Sequence, residues 1–200
     1  VSLCERHVRP VLNSKDSAVE ILEIGCGFGA NIPYLLTLGD DYYGVDGSET
    51  CLREVAERFP SVEANLCCAD FTEDLGFDKS FDLIVDRGSV TCNSDSAIRD
   101  CVRLISARLR PGGLFCGITW FSKDNSEYLL GLDGGDPHTR TGYTEGSFAN
   151  TGTVHFTDET NLGEILSNFK LIKLEHKISK EIVPANGGRN AFFNFVAQKI

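Results

Sequence analysis

The stretch VEILEIGCGFG, from Val19 to Gly29, joins a short apolar run to three glycines at alternate positions. The apolar run has the length and the β-branched content of a buried strand. Glycine loses more backbone freedom on folding than any other residue, so three of them this close together indicate a turn that another group approaches closely. Apolar residues then recur with helical spacing at Ile32, Leu35 and Leu36. The stretch therefore predicts a strand, a tight turn and a helix, the first unit of an α/β sheet.

Strands and helices continue to alternate as far as residue 120. Three further strands are predicted to end at an aspartate, and a fourth follows them: DYYGV before Asp46, Asn65–Ala69 before Asp70, FDLIV before Asp86, and Leu114–Trp120. The helices between them have apolar faces made of Leu52, Val55, Ala56 and Phe59 after a Ser48 cap, and of Ile98, Cys101, Val102, Ile105 and Leu109. Arg110-Pro-Gly-Gly113 is predicted to end the second helix in a turn. This alternation predicts a parallel sheet with helices on both faces.

The last segment of the chain departs from this alternation. One more helix is predicted, with an apolar face made of Leu162, Ile165, Leu166 and Phe169. Two apolar runs follow it, at 171–178 and 191–198, and the loop KEIVPANGGRN between them is too short for a crossover helix. Strands connected by so short a loop are antiparallel. We therefore predict that the chain ends in an antiparallel strand pair.

Length and composition indicate one globular domain. Two hundred residues with 42% hydrophobic content can enclose a sizeable core, and no change in composition marks a boundary. We expect a single domain over 1–200, with a cofactor-binding core at 19–120, an insertion at 121–156, and a terminal helix with its strand pair at 157–200. The net charge of −10 would repel phosphate backbones, so nucleic acid is not expected as a partner.

The eight cysteines form neither a metal-binding nor a disulfide pattern. They include no C-x-x-C pair, and several lie in apolar runs, where a thiol packs as a small hydrophobic group. We expect reduced thiols, no metal and a cytoplasmic protein. We also expect no signal peptide and no membrane partner, because no apolar stretch is long enough to span a bilayer. The chain begins at Val1 and contains no methionine, so its natural start is expected further upstream.

Acidic residues gather where the predicted strands end. Ligands of parallel sheets bind beyond the carboxyl ends of the strands. The acids at four of those ends are Glu23, Asp46, Asp70 and Asp86. Such a cleft suits a ligand that carries a cation and many hydroxyl or amino donors, and it suits a phosphate poorly.

A dinucleotide such as NAD is the alternative ligand. The segment Gly25–Ala30 also fits G-x-G-x-x-G/A, with Asp46 at a suitable separation for a ribose contact. Against NAD, Glu23 would add negative charge close to a pyrophosphate, and Asp70 would lie where an adenine edge is expected. The antiparallel ending also differs from the parallel six-strand pattern of a dinucleotide domain. The glycines alone do not decide between these ligands.

Five segments, taken in order, resemble those of Rossmann-like (class I) S-adenosylmethionine-dependent methyltransferases. They are VEILEIGCGFG, YYGVDGS, CCADF, FDLIVDRGSV and LRPGGLF, within Val19 to Trp120. The resemblance implies a three-layer α/β fold of the Rossmann-like methyltransferase type, with a seven-stranded, mostly parallel sheet, an antiparallel last strand and helices on both faces. It also implies an enzyme that uses S-adenosyl-L-methionine as its cofactor and methyl donor.

The same resemblance implies which residues hold the cofactor. The glycines let the backbone pass close to its methionine moiety, and Glu23 lies beneath them. Asp46 would accept both ribose hydroxyls, while Asp70 and the backbone of Phe71 would contact the adenine. Each has a plain alternative, since glycines can simply make a turn and acids can cap one. The complete set of implied cofactor residues is Glu23, Gly25, Cys26, Gly27, Gly29, Asp46, Gly47, Asp70, Phe71 and Asp86.

The acceptor is expected to bind at the ends of the fourth and fifth strands and beneath the segment 121–156. That segment carries six glycines and several threonines, and loops of this length in a compact domain are usually functional. We predict that it is a substrate lid, with a mobile surface insertion as the alternative. The candidate catalytic residues are Asp86, which either contacts the acceptor or caps the next turn, and His155, which is either a base or a structural histidine.

A small-molecule acceptor is the predicted partner. Asp86-Arg-Gly-Ser-Val90 lacks the Pro-Pro-aromatic sequence of the enzymes that methylate nucleic acid bases, and it is only loosely similar to the D-K-G-T stretch of protein lysine methyltransferases. Methylation of protein at lysine or at the N-terminus is therefore one alternative. Cofactor binding without catalysis is another. The sequence predicts neither the acceptor atom nor the oligomeric state.

Overall fold

A computed structural model describes residues 2–183 and 188–200 of the chain. In chain order the helices and strands are α1 (Ser2–His7), α2 (Arg9–Leu12), β1 (Glu20–Ile24), α3 (Ile32–Leu35), β2 (Asp41–Asp46), α4 (Glu49–Arg58), β3 (Leu66–Cys68), β4 (Phe81–Arg87), α5 (Asp95–Arg108), β5 (Leu109–Phe121), β6 (Leu132–Asp133), β7 (Thr139–Thr141), β8 (Val154–His155), α6 (Glu159–Ile165), β9 (Phe169–Lys180) and β10 (Arg189–Lys199). Four residues of the predicted loop between the last two strands, 184–187, lie outside the described residues.

Seven of the strands form one sheet in the order β3-β2-β1-β4-β5-β10-β9. The pairs from β3 to β5 are parallel, whereas β10 runs antiparallel to both β5 and β9. This confirms the predicted sheet with its antiparallel last strand. The strand order reverses at β1, which pairs with β2 on one side and with β4 on the other. A crevice therefore opens beyond the carboxyl ends of β1 and β4, where open α/β sheets bind their ligands.

Apolar side chains fill both faces of the sheet. The core on one face contains residues of α5 and α6, and the core on the other contains residues of α1, α2, α3 and α4. At the antiparallel end, the fully buried ring of Trp120 packs edge-on against Phe195, with ring centroids 5.0 Å apart. Aromatic pairs of this kind stabilise the fold beyond the area they bury. The result is the predicted three-layer arrangement of helix, sheet and helix.

The helices begin where their capping residues lie. The predicted cap Ser48 is confirmed, since its Oγ accepts a hydrogen bond from the Cys51 N–H at 3.3 Å at the start of α4. Ser94 caps α5 in the same way. With 14 residues, α5 is the longest helix among the residues that the structure describes, and no helix there is long and apolar enough to cross a membrane.

Several local predictions were wrong in detail. The predicted helix after the glycine turn forms, but it ends at Leu35, and Leu36 is 40% exposed. Leu109 and Phe169, predicted on helix faces, begin β5 and β9. Arg110-Pro-Gly-Gly113 is not a free turn, because α5 already ends at Arg108 and β5 begins at Leu109. These residues form an irregularity inside β5, where the register with β4 shifts. Proline and glycine are tolerated at such bulges although they weaken a regular strand.

The insertion 121–156 is a folded unit with its own small core. It contains a short 3-10 helix at Ser126–Leu130 and a three-stranded antiparallel sheet in the order β6-β7-β8. Its core consists of Tyr143, Phe148, Val154 and Phe156. Strands of two or three residues are too short to show a periodic pattern, which explains why the sequence predicted only a long loop.

Replacing Gly117 with alanine is expected to destabilise the fold. A methyl group at Gly117 in β5 would come within 2.2 Å of the Phe195 ring, and overpacking of a core costs roughly 1–3 kcal/mol. Gly163→Ala in α6 is the matched control, because a methyl group there meets nothing within 4 Å and should raise stability by roughly 0.5–1 kcal/mol. Urea unfolding measures both effects. Equal stabilities of the two variants would contradict the packing between β5 and β10.

Candidate active site

The glycine turn lies between β1 and α3, and all three of its glycines have a positive φ, of 64°, 50° and 75°. A methyl group on Gly25 would fall 2.1 Å from Ser89 Oγ, and one on Gly29 would fall 2.9 Å from Ile32 Cδ1. Neighbouring side chains therefore require these two glycines. At Gly27 a methyl group would meet nothing within 4 Å. Of the three, Gly27 is the glycine that faces open space.

Asp46, at the carboxyl end of β2, joins this turn to the next helix. Its Oδ2 accepts a hydrogen bond from the Gly27 N–H at 2.8 Å, and its Oδ1 accepts one from the Ser48 N–H at 2.9 Å. A carboxylate offers about four acceptor positions, so two bonds leave capacity for the hydroxyl groups of a ligand. The side chain thus stands beside the open face of the turn and also supports the start of α4.

Glu23 lies beneath the turn with only 1% of its surface exposed. Its Oε1 accepts a hydrogen bond from Asn31 Nδ2 at 2.6 Å, and its Oε2 accepts one from the Tyr42 hydroxyl at 2.7 Å. Burial raises the pKa of Glu23 to about 7, although both hydrogen bonds oppose the rise. Asn31 also accepts a hydrogen bond from the Arg87 guanidinium at 2.9 Å. This chain of hydrogen bonds connects β1, β2, the start of α3 and the end of β4.

Asp86, a candidate for both cofactor binding and catalysis, is completely buried at the end of β4. Its Oδ1 accepts hydrogen bonds from the Ser89 and Val90 N–H groups, each at 3.0 Å, and its Oδ2 accepts one from Trp120 Nε1 at 2.7 Å. Burial raises the pKa of Asp86 to about 6. The carboxyl group thus caps the turn after β4, the role that the sequence left as the alternative to contact with the acceptor.

The remaining predicted cofactor residues lie in the turn or after β2 and β3. Asp70 is exposed, and hydrogen bonds from the Thr72 hydroxyl and N–H hold the pKa of its carboxyl below the usual value. Phe71 is partly buried and packs against the core that α5 covers. Gly47 is exposed. Cys26 is buried, and burial raises the pKa of its thiol to about 12, so the thiol is neutral.

His155, the other candidate catalytic residue, is the last residue of β8 in the insertion and contacts the start of α5. It has no exposed surface, its Nε2 lies 3.0 Å from Asp95 Oδ1, and its ring stacks on His138 with centroids 5.7 Å apart. Burial holds the pKa of His155 below its usual value. These contacts join the insertion to the start of α5. They do not bring His155 to the glycine turn.

A cavity of about 460 Å³ opens beside the turn, between α1 and α3 and against the ends of β4 and β5. Asn31 and Arg87 line it, and sequence reasoning assigned a role to neither. Thr119 in its wall has a φ of 60°, which is rare for a β-branched residue, and its N–H donates to Asn194 Oδ1 at 2.9 Å. Backbone strain of this kind collects at ligand sites. No pattern in the sequence signals these residues, because strain and side-chain direction exist only in the folded chain.

A sheet of this strand order with a glycine turn after its first strand has the Rossmann-like methyltransferase fold. Residues 21–113, which run from β1 through the turn and into β5, match a family model described as a methyltransferase domain. This part of the chain is therefore similar to a methyltransferase domain, and the solved structures of the same fold include S-adenosylmethionine-dependent methyltransferases. These findings agree with the predicted family, enzyme class and cofactor. No curated protein sequence matches the chain.

Solved structures share the fold along nearly the whole chain. An S-adenosylmethionine-dependent methyltransferase from Methanosarcina mazei superposes with a TM-score of 0.74 and 18% identity, over 96% of this chain and 97% of its own. CalS10 from Micromonospora echinaspora, an amino pentose methyltransferase with S-adenosylmethionine bound, superposes with a TM-score of 0.64 and 18% identity, over 100% of this chain and 89% of its own. KedS8 from Streptoalloteichus, a sugar N-methyltransferase, superposes with a TM-score of 0.65 and 18% identity, over 98% of this chain and 86% of its own. At 18% identity, these similarities show a shared fold and nothing more specific.

Changing Glu23 to glutamine is expected to remove a pH-dependent loss of stability. The pKa of Glu23 is about 7 in the folded protein against an ordinary value of 4.5. Because the folded protein holds the proton of Glu23 more tightly than the unfolded chain does, the protonated carboxyl group stabilises the fold. This stabilisation is fully present below pH 4.5 and is lost as the pH rises through about 7. Relative to Glu23→Gln, the wild type should lose roughly 3 kcal/mol of unfolding free energy between pH about 4.5 and about 8.

Urea unfolding across this pH range measures the difference. Glu63→Gln is the matched control, because Glu63 is exposed and its removal should leave the pH dependence of the wild type unchanged. Asp86 titrates in all three proteins and cancels from the comparison. Parallel pH curves for the wild type and Glu23→Gln would mean that Glu23 is not buried as an ionisable group.

Proposed function

We propose that this protein transfers the methyl group of S-adenosylmethionine to a small-molecule acceptor. The observation that carries the proposal is that the open face of Gly27 and the cavity of about 460 Å³ lie at the same edge of the sheet. They adjoin, since Ala30 and Asn31 follow the turn directly and line the cavity. The volume lies within the range of small-molecule sites. Cofactor and acceptor can therefore be held side by side.

The residues at the turn fit this cofactor. Gly27 leaves space for its methionine moiety, Asp46 retains acceptor capacity for the ribose hydroxyls, and Asp70 is exposed to accept from the adenine amino group. When bound, the cofactor supplies an activated methyl group on a cationic sulfonium. Carboxylates suit such a cation, whereas a dinucleotide would need donors for its phosphates. We assign Cys26, Gly47 and the Phe71 backbone to the same surface.

The other predicted residues act through the shape of the site. Glu23 holds the start of α3 through Asn31. Asp86 holds the turn after β4, from which Ser89 reaches over to donate a hydrogen bond to the Gly25 carbonyl at 3.1 Å. We therefore propose that Glu23 and Asp86 are positioning residues. Gly25 and Gly29 also shape the site, because their lack of a side chain leaves room for Ser89 and Ile32.

In this proposal the enzyme accelerates the reaction by aligning the acceptor with the methyl group and by excluding water. Among the described residues that line the cavity there is no carboxylate and no imidazole, so neither of the commonest general bases faces the acceptor there. Displacement at an activated methyl group is accelerated mainly by holding the acceptor atom in line and removing solvent. We accordingly assign His155 to the attachment of the insertion, on the basis of its bond to Asp95.

The insertion 121–156 is proposed as a lid within a single domain. Its two ends meet, because the Thr157 N–H donates to the Phe121 carbonyl at 2.8 Å and the Lys123 N–H donates to the Thr157 carbonyl at 3.0 Å. The insertion thus leaves the core and returns to it at the end of β5, beside the cavity wall at Thr119. CalS10 and KedS8, whose substrates are sugars by name, support a small acceptor for an enzyme of this fold.

Asp46→Asn is expected to weaken binding of S-adenosylhomocysteine, the product form of the cofactor. The variant keeps the side-chain shape but loses a charge-assisted acceptor for the ribose, which should cost roughly 1.5–3 kcal/mol. Asp41→Asn, at the exposed beginning of the same strand, is the control and should bind normally. Calorimetric titration with NAD run in parallel should show no heat. Unchanged affinity in Asp46→Asn would remove Asp46 from the ribose site.

Gly27→Asn is expected to abolish cofactor binding while the protein stays folded. Asparagine tolerates a positive φ better than other side chains, so the backbone of the turn is preserved. Its side chain would occupy the space that a methyl group at Gly27 finds empty. Thermal unfolding checks the fold, and calorimetry with S-adenosylhomocysteine checks binding. Normal binding by the folded variant would show that the ligand does not pass over Gly27.

Release of S-adenosylhomocysteine during incubation with S-adenosylmethionine tests the reaction itself. Acceptors should include amines, phenols, thiols and amino sugars, with lysine-containing peptides as a separate arm. Turnover confined to small acceptors is the expected result. Turnover confined to peptides would replace the proposed acceptor class, and cofactor binding without turnover in any arm would favour a binding protein.

A further inference from the structure

The cavity beside the glycine turn carries a charge opposite to that of the whole chain. The protein has a net charge of −10, yet the only charged side chains among the described residues lining this cavity are Arg87 and Lys177. Two carboxyl groups lie behind the wall, and both are already engaged. Glu23 accepts hydrogen bonds from Asn31 and Tyr42, and Glu5 accepts one from Tyr34 and is paired by Arg9 through two hydrogen bonds of 2.7 and 2.8 Å. A local basic site within an acidic protein selects its ligands by charge.

Arg87 is held in place but is not neutralised. One guanidinium nitrogen donates to Asn31 Oδ1 at 2.9 Å, and Asn31 is fixed in turn by its bond to the buried Glu23. Within residues 2–183 and 188–200, Arg87 forms no ion pair. A guanidinium has five N–H donors in a planar fork, so an oriented edge remains for a carboxylate or a phosphate.

Two further groups add donors to the same cavity. Among the residues that the structure describes, Lys177 on β9 has one ion-pair partner, Glu175 at 3.4 Å. The pair is half-exposed, and such pairs contribute little to stability and yield to a competing anion. Asn194 uses its Oδ1 to accept from the strained Thr119 N–H, which leaves its Nδ2 without a partner among the residues that the structure describes. Asn194 lines the cavity, so this amide donor is available to a ligand there.

We propose that Arg87, Lys177 and Asn194 form an anion-recognition site, and that the acceptor of this enzyme carries a carboxylate or phosphate group that binds there. The inference rests on the proposed function, since it places the acceptor in the cavity beside the cofactor. The methionine carboxylate of the cofactor has the same chemistry and is the other possible occupant. The experiment must therefore separate an anion on the acceptor from the anion on the cofactor.

Benzoate and its uncharged isostere benzamide are suitable probes, titrated calorimetrically into the protein saturated with S-adenosylhomocysteine and into the free protein. Benzoate should bind and benzamide should bind much more weakly. Arg87→Gln and Lys177→Gln should each weaken benzoate binding by roughly tenfold, as expected for loss of a charge-assisted hydrogen bond. Lys170→Gln, an exposed lysine at the start of the same strand β9, and Arg53→Gln on α4 are the matched controls and should have no effect.

A second titration assigns the anion to its source. S-adenosylhomocysteine and 5′-methylthioadenosine share the nucleoside and the thioether, but the second lacks the carboxylate. Their affinities should change little in Arg87→Gln and Lys177→Gln. A selective loss of S-adenosylhomocysteine binding would show that Arg87 holds the cofactor and would overturn the proposal, as would equal binding of benzoate and benzamide by the wild type. Failure of the wild type to bind S-adenosylhomocysteine would instead refute the proposed function, while benzoate binding to the free protein still tests the anion site.

Discussion

The buried carboxyl group of Glu23 is the interaction on which the rest of the site depends. An ionisable group in the interior must be hydrogen-bonded, and its partners are thereby fixed in position. Those partners are Tyr42 on β2 and Asn31 at the start of α3, and Asn31 passes the constraint on to Arg87 at the end of β4. Side chains of β1, β2 and β4 therefore hold the glycine turn in position from beneath it. The geometry above the turn is therefore supported by a carboxyl group buried beneath it.

Asp86 has a comparable role on the neighbouring strand β4. Its carboxyl group closes the turn after β4 and accepts from the indole of Trp120 on β5. Trp120 in turn packs against Phe195 on the antiparallel strand β10. The parallel half of the sheet, which provides the glycine turn, is thus connected to the antiparallel half, which provides Asn194 and Lys177. Both halves contribute residues to the cavity, and this contact between carboxyl and indole is one of the links that hold them together.

The sequence was sufficient for the core of the fold because strands buried on both faces appear as short apolar runs, and four of them here have an acid at or next to the carboxyl end. It was also sufficient for the terminal strand pair, since a short loop allows only one relative direction. The insertion could not be predicted, because β6 and β8 have two residues each. The glycines show the limit within the site. The sequence does not distinguish the three glycines of the turn. Only the structure shows that Ser89 fills the space beside Gly25, that Ile32 fills the space beside Gly29, and that the space beside Gly27 is open.

The environment of Trp120 has a consequence for how the molecule can be observed. It is the sole tryptophan of the chain, it is shielded from water, and its indole N–H is bonded to the carboxyl group that shapes the turn over Gly25. Indole emission depends on the polarity and charge next to the ring. The protein therefore carries an intrinsic fluorophore at the joint between its two half-sheets. Its emission reports on the charge of Asp86 and on the closure of the sheet, with no label and no change to the sequence.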